Sequence, residues 1–260
     1  MAAALIGGLI KRGTAASDLY AVDVNEDART RMQSNFGIKT GETADESLRG
    51  YDAIVLAVKP QVMKSVAAAL APHLATQLVV SIAAGIRGSD IARWLNGYTR
   101  IVRAMPNTPA LIGMGVTGLV ALPGVDAAGQ TLASEVLGAV GNTVWFDDEV
   151  KIDAVTAISG SGPAYVFYFI EALQEAARQL GLGADEGRAL ALATFAGAAQ
   201  LAAQSDEPAG VLRERVTSKG GTTAAALASF EAQAVKAAIV KGVLAADARA
   251  KEMGDELGKQ

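Results

Sequence analysis

The chain has 260 residues, 51% hydrophobic and 19% charged, with 23 Lys and Arg against 27 Asp and Glu and a formal net charge of −4. So apolar a chain is not disordered and has core material for one large domain or two ordinary ones; its acidic balance speaks against nucleic-acid backbones as partners. With no cysteine and one histidine, His73, it excludes disulfides, thiol nucleophiles, iron–sulfur clusters, Cys-ligated zinc and any multi-histidine metal site.

Met1–Arg12 is apolar and rich in small residues, and Gly13 follows it: a helix with its terminating glycine. Leu19–Val24 reads as a short strand. Asn25–Phe36 reads as a helix, with Asn25 as N-cap and Glu26 and Asp27 in the first turn. A weak strand lies around Ile38. Asp52–Val58 is a nearly continuous apolar run, the pattern of a strand covered on both faces. Pro60 opens a helix to about Leu70. Gln77–Ile82 is another buried strand, Ser89–Leu95 a short helix and Arg100–Ala104 a further strand. Val116–Leu122 and Thr143–Phe146 are strands flanking a helix at Asp126–Leu137. From there the strands stop. Asp148–Ile158, Ala164–Leu180, Ala184–Gln204 and Thr222–Leu257 read as helices, the last broken near Gln233. The alternation predicts an α/β half with a doubly wound parallel sheet over residues 1–147 and an all-helical half over 148–260. The longest apolar runs, such as Ala164–Ile170, are far below the roughly 20 residues a membrane helix needs. No signal peptide is visible. A cytoplasmic protein without membrane partners is the expectation.

The alternation begins on a helix. In a dinucleotide-binding sheet the first strand is central, and a glycine-rich turn after it delivers the pyrophosphate to a helix N-terminus. Met1 and Ala2 look like the tail of that turn, with Ala2 at the third Gly/Ala place. Asp23 lies about 20 residues on, where an acidic side chain meets a ribose hydroxyl. The leading glycines and the strand before them are not in this sequence. One expectation is therefore that Met1 is an internal methionine of a longer chain. A missing strand of about six buried side chains, each worth roughly 1.5–3 kcal/mol, amounts to on the order of 10 kcal/mol, comparable to a domain's whole stability. For the chain as it stands, poor cofactor binding is expected; intact-mass measurement and the upstream reading frame test the point.

Five segments carry a resemblance. They are Ala57-Val58-Lys59-Pro60, Ser81-Ile82-Ala83-Ala84-Gly85, Met105-Pro106-Asn107-Thr108-Pro109, Ser159-Gly160-Ser161-Gly162-Pro163-Ala164-Tyr165, and Val216-Thr217-Ser218-Lys219-Gly220-Gly221-Thr222-Thr223. In this order and spacing the chain resembles the pyrroline-5-carboxylate reductases. The first two segments occur across many dinucleotide-binding proteins; the last two together are specific.

The resemblance implies hydride transfer from NADPH or NADH to the C=N carbon of 1-pyrroline-5-carboxylate, giving L-proline. It implies a Rossmann domain followed by a helical domain that interlocks into a homodimer, with dimers assembling into larger rings and the substrate near the dimer interface. It places Thr223 against the ring nitrogen as the catalytic residue. The backbone around Ser218, Gly220, Gly221, Thr222 and Thr223 holds the carboxylate, and Glu149 lies near the substrate. On the cofactor side it places Met1 and Ala2 at the phosphates and Asp23, Val24 and Asn25 at the adenosine ribose. Ala57, Val58, Lys59 and Pro60 pass beneath the adenosine and phosphates; Ala83, Ala84 and Gly85 line the nicotinamide side with Asn107 nearby.

The chemistry suits a chain poor in histidine and cysteine. The imine nitrogen is basic enough to be protonated near neutral pH, so its carbon is electrophilic without a strong enzymic acid, and the protein supplies orientation and electrostatics. Consecutive backbone N–H groups at a helix start suit a carboxylate. Three positions depart from the family pattern. Asp23 repels a 2′-phosphate and makes NADH more plausible, unless Arg29 or Arg31 offsets it. Ala44 stands where many members carry asparagine near the adenine, and Lys219 replaces a common proline.

Plainer readings compete at several places. His73 suits a solvated helix end, Lys59 an ordinary turn, and Met105–Pro109 a stiff proline-restricted turn. Tyr165–Phe169 suits helix core or a dimer interface. Glu149 suits a first-turn acid, and Asp206 and Glu207 suit capping or loop support. Two other functions are open: a β-hydroxyacid dehydrogenase, whose chemistry needs a lysine on the first long helix of the second domain, and a non-catalytic dimeric chain with impaired cofactor binding. Ala164–Leu180 contains no lysine.

Overall fold

A computed structural model describes residues 1–259. Internal contacts divide the chain into two units, Met1–Ser161 with the segment from Ala246 onward, and Gly162–Ala245.

The first unit opens with α1 (Ala2–Lys11), β1 (Tyr20–Val22), α2 (Glu26–Phe36) and β2 (Lys39–Gly41). It continues through β3 (Ala53–Leu56), α3 (Met63–Leu70), β4 (Leu78–Ser81), α4 (Gly88–Trp94) and β5 (Ile101–Met105). β6 (Gly115–Ala121), α5 (Ala127–Gly138), β7 (Gly141–Phe146) and α6 (Lys151–Val155) complete it. Local chemistry sets several ends. Asn25 caps α2 by accepting the Ala28 N–H at 3.0 Å, and Asp126 caps α5 by accepting the Gly129 N–H at 2.8 Å. Gly37, at φ 67°, ends α2 in the left-handed region that glycine adopts freely.

The strands form a five-stranded sheet in the order β3-β4-β5-β6-β7 and a separate parallel pair, β1-β2. β3, β4 and β5 run parallel, as does β6 with β7. β5 and β6 are antiparallel, a departure from the all-parallel expectation. The link from Met105 to Gly115 holds only a short 3₁₀ turn, Thr108–Ile112, too little for the crossover that a parallel return requires. Among the described residues no ladder joins β1 to β3, the place a central first strand is expected to pair. β7 starts so close to β6 that a Cβ on Gly141 would lie 1.9 Å from the Gly115 carbonyl oxygen, so only glycine serves there.

The five-stranded sheet is covered on both faces, and strand alternation decides which side chains go where. Leu78, Val80, Val102, Ala104 and Leu119 pack with Leu5 of α1 and Leu137 of α5. Val79 and Ile101 pack on the other face with Met63 of α3, Ile91 of α4 and Leu257. Arg103 follows Ile101 by two and so shares this second face. After α6 the helix widens over Thr156–Gly160, where Ser161 N–H reaches back to the Thr156 carbonyl at 2.8 Å. Gly160 makes room there for Met105 of β5: a Cβ would sit 2.6 Å from its terminal methyl.

The second unit is helical: α7 (Gly162–Gln179), α8 (Ala184–Ala203), α9 (Ala209–Arg215), α10 (Thr222–Ala232) and α11 (Val235–Gly258), whose last turns lie in the first unit. α7 and α8 form a hairpin that closes on Gly187, where a Cβ would come within 2.9 Å of the Ala177 methyl. The break expected near Gln233 falls at Ala234, at φ 53°. α9 was not legible from periodicity, because seven residues after Pro208 give too few turns to show one.

Candidate functional site

Loops leave the carboxyl ends of three parallel neighbours, β3, β4 and β5, along one edge of the sheet, the edge where open α/β sheets bind ligands. After β3, Ala57 and Lys59 are exposed, Val58 and Pro60 half-buried. The Lys59 ammonium has no acidic partner among the described residues and fits a phosphate there. After β4, Ala83 and Gly85 are buried and Ala84 is half-buried. Gly85, at φ 71°, is backed by Met253 and Leu257, with Met253 Cβ 3.1 Å from where its own Cβ would be. After β5, Asn107 is buried, its Nδ2 donating to the Ser159 carbonyl at 3.1 Å and its Oδ1 accepting the Val116 N–H at 2.9 Å. The amide therefore ties β5, β6 and the widened turn together. Gly85→Ala forces alanine into a left-handed conformation against Met253 and is expected to cost about 1–2 kcal/mol, read as a lower urea midpoint.

At the end of β1, Asp23 accepts the Asn25 N–H at 2.9 Å on Oδ1, while Arg29 donates Nη1 to the Asp23 carbonyl at 2.7 Å. An exposed carboxylate and a guanidinium thus share the spot assigned to the ribose, and Val24 beside them is 80% exposed. Met1 stands at the N-cap of α1, its carbonyl accepting the Leu5 N–H at 3.1 Å, and Ala2 begins the helix.

Glu149 does not stand alone. Its Oε1 accepts the Gly88 N–H at 2.6 Å and the Arg103 Nη1 at 3.0 Å. Arg103 also reaches Asp153 Oδ1 through Nη2 at 3.3 Å, and its side chain is only 3% exposed. The plain first-turn-acid reading missed this. The signal was available: a guanidinium inside the apolar run Ile101-Val102-Arg103-Ala104-Met105 must find carboxylates. Nearby, Arg87 pairs with Asp255; that hydrogen bond, with help from Asp90 and Asp153, raises the already high pKa of the guanidinium.

In the second unit, Ser218–Thr223 bends into α10. Gly220 sits at φ 73°, the Gly221 N–H donates to the Ser218 carbonyl at 3.0 Å, and no side chain caps the helix. The N–H groups of Thr222, Thr223 and Ala224 and the hydroxyls of Ser218, Thr222 and Thr223 have no hydrogen-bond partner among the described residues, which leaves N–H donors that suit an anion and hydroxyls that can donate or accept. Thr223 is half-buried and Ser218 exposed. Glu207 forms an ion pair with Arg215, at the end of the helix that leads into the bend. His73 faces Glu46, with Nδ1 3.2 Å from Oε1.

A largely parallel sheet with small residues and Lys59 on its carboxyl edge, followed by a helical half, is the design of a dinucleotide-binding domain joined to a helical one. Two family profiles match: "NADP oxidoreductase coenzyme F420-dependent" over residues 1–85 and "Pyrroline-5-carboxylate reductase dimerisation" over residues 149–253. The pyrroline-5-carboxylate reductase of Pseudomonas aeruginosa is 45% identical over 100% of this chain and 95% of its own. A solved pyrroline-5-carboxylate reductase from Coxiella burnetii superposes with TM-score 0.90 at 38% identity, over 97% of this chain and 94% of the other. The Plasmodium falciparum pyrroline carboxylate reductase, solved with NADP bound, gives TM-score 0.85 at 30% identity over 97% and 94%. The chain belongs to the pyrroline-5-carboxylate reductase family.

Proposed function

We propose that this chain reduces 1-pyrroline-5-carboxylate to L-proline with NADPH or NADH. The observation that carries the reading is likeness along the whole chain to a reductase of that name, 45% over 260 residues. The bound reduced nicotinamide supplies a hydride to the C=N carbon. The chain's own residues hold the reacting partners. The α10 N–H groups and the backbone of Ser218–Thr223 take the substrate carboxylate. The Thr223 hydroxyl bonds the ring nitrogen, which carries the proton that balances the hydride. Lys59 and the start of α1 take phosphate groups, and Ala83–Gly85, short in side chain, let the nicotinamide lie close to the backbone.

The helical unit supports a homodimer. Phe167, Tyr168, Leu190, Leu201, Phe230 and Leu244 are each more than half exposed, an apolar load that a second copy would cover. Assembly of dimers into rings and a cytoplasmic location complete the proposal.

The deciding experiment is dehydrogenation of L-proline at alkaline pH with each cofactor, alongside reduction of pyrroline-5-carboxylate. Turnover of 3-hydroxyisobutyrate instead would return the β-hydroxyacid dehydrogenase reading. The cofactor choice has its own test. Asp23→Asn removes an exposed negative charge beside the ribose while Arg29 remains. The ratio of kcat/KM for NADPH over NADH is expected to rise about fivefold, the worth of one charge a few ångströms away in water. An unchanged ratio would detach Asp23 from the 2′-position.

A further inference from the structure

We infer that Arg103, Glu149 and Asp153 are a positioning cluster for the loop between β4 and α4, and through it set the affinity for the nicotinamide. The inference rests on the assignment of Ala83–Gly85 to the nicotinamide side. The loop runs from Ser81, the last residue of β4, to Gly88, the first of α4. Ala83 and Ile86 are plugged into the core beneath it, at 5% and 1% exposure, and Gly85 rests on Met253 and Leu257. At its far end the buried Gly88 N–H has one acceptor, Glu149 Oε1 at 2.6 Å. That carboxylate is held by Arg103 at 3.0 Å, and Arg103 is braced from its other nitrogen by Asp153 at 3.3 Å. Arg103 Nε is buried without a partner, so the two carboxylates are the guanidinium's whole support among the described residues.

A sheet strand thus grips the end of the loop through one buried guanidinium and one carboxylate. Removing the carboxylate leaves the Gly88 donor without an acceptor and the Arg103 charge on Asp153 alone, and the loop loses its fixed end. This role differs from the substrate contact that the resemblance assigns to Glu149. It acts on the cofactor side, through backbone.

Two variants of the full chain separate the readings. Glu149→Ala removes the acceptor; Glu149→Gln keeps a neutral one for both donors. In the cofactor-free protein, amide hydrogen exchange across residues 82–88 is expected to quicken about tenfold in Glu149→Ala, with β6 as protected as in the wild type. The Kd for NADPH, from nicotinamide fluorescence, is expected to rise about tenfold, with the KM for pyrroline-5-carboxylate within about twofold of wild type. Glu149→Gln should lie within about threefold of wild type in both exchange and Kd. Unchanged exchange at 82–88 in Glu149→Ala overturns the inference. So does a raised KM for pyrroline-5-carboxylate with an unmoved NADPH Kd, which would return Glu149 to the substrate. If Glu149→Ala does not fold, Asp153→Ala frees one arm of Arg103 and decides by the same exchange measurement: faster exchange supports the cluster, none overturns it. Failure of the wild type to bind NADPH would count against the functional reading, while the cofactor-free exchange result still judges the cluster.

Discussion

Thr223→Ala is expected to lower kcat/KM for pyrroline-5-carboxylate by between about tenfold and a hundredfold, the worth of one hydrogen bond to a charged ring nitrogen. The fold should survive the change. Thr223 lies in the first turn of α10, half-buried, and its hydroxyl bonds no other group among the described residues. Alanine is also the better helix former, so the melting temperature should hold or rise slightly. Thr223→Ser keeps the hydroxyl and should recover most of the activity. Because the hydroxyl acts on the bound imine, the loss should appear in kcat/KM and leave the NADPH Kd near its wild-type value. Undiminished turnover in Thr223→Ala would remove this bend from the reaction.

The second large effect is on stability. Arg103→Met puts an apolar side chain of similar length where a guanidinium 3% exposed had held two carboxylates. Glu149 and Asp153, at 29% and 14% exposure, are left facing each other with the positive charge gone. Breaking such a buried group from one side costs about 3–5 kcal/mol, which urea denaturation would show as a lower midpoint at nearly constant slope. Replacing all three residues with apolar side chains should cost less than the single change, since it removes the stranded charges as well. A loss below about 1 kcal/mol for Arg103→Met would mean that water reaches the cluster and screens it, as at exposed ion pairs.

Much of the layout was readable before any coordinates. Apolar runs such as Gln77–Ile82 allow few conformations besides a strand covered on both faces, and β4 is buried at all four of its positions. Asn25 and Asp126 marked helix starts because a short side-chain acceptor before an open turn has one obvious use. The bend at Ser218–Thr223 was legible too, because glycine pairs ahead of a threonine-rich helix start restrict the backbone locally. α9 and the widened turn at Thr156–Gly160 were not. The first is too short for periodicity to register, and the second packs Gly160 against Met105, a residue more than fifty positions earlier, which no local pattern shows.

What the sequence determined by itself is local: where the chain extends, coils or turns, and which residue types are present to handle a carboxylate, an imine and a dinucleotide. What only the tertiary structure decided is which distant groups meet. The resemblance places Asn107 beside the cofactor and Glu149 beside the substrate; the fold adds that one ties β5 to β6 and the widened turn, and the other holds Gly88 and Arg103. The physical reason is that a buried polar group must find partners, and the partners it finds are set by which elements pack together, not by its neighbours along the chain.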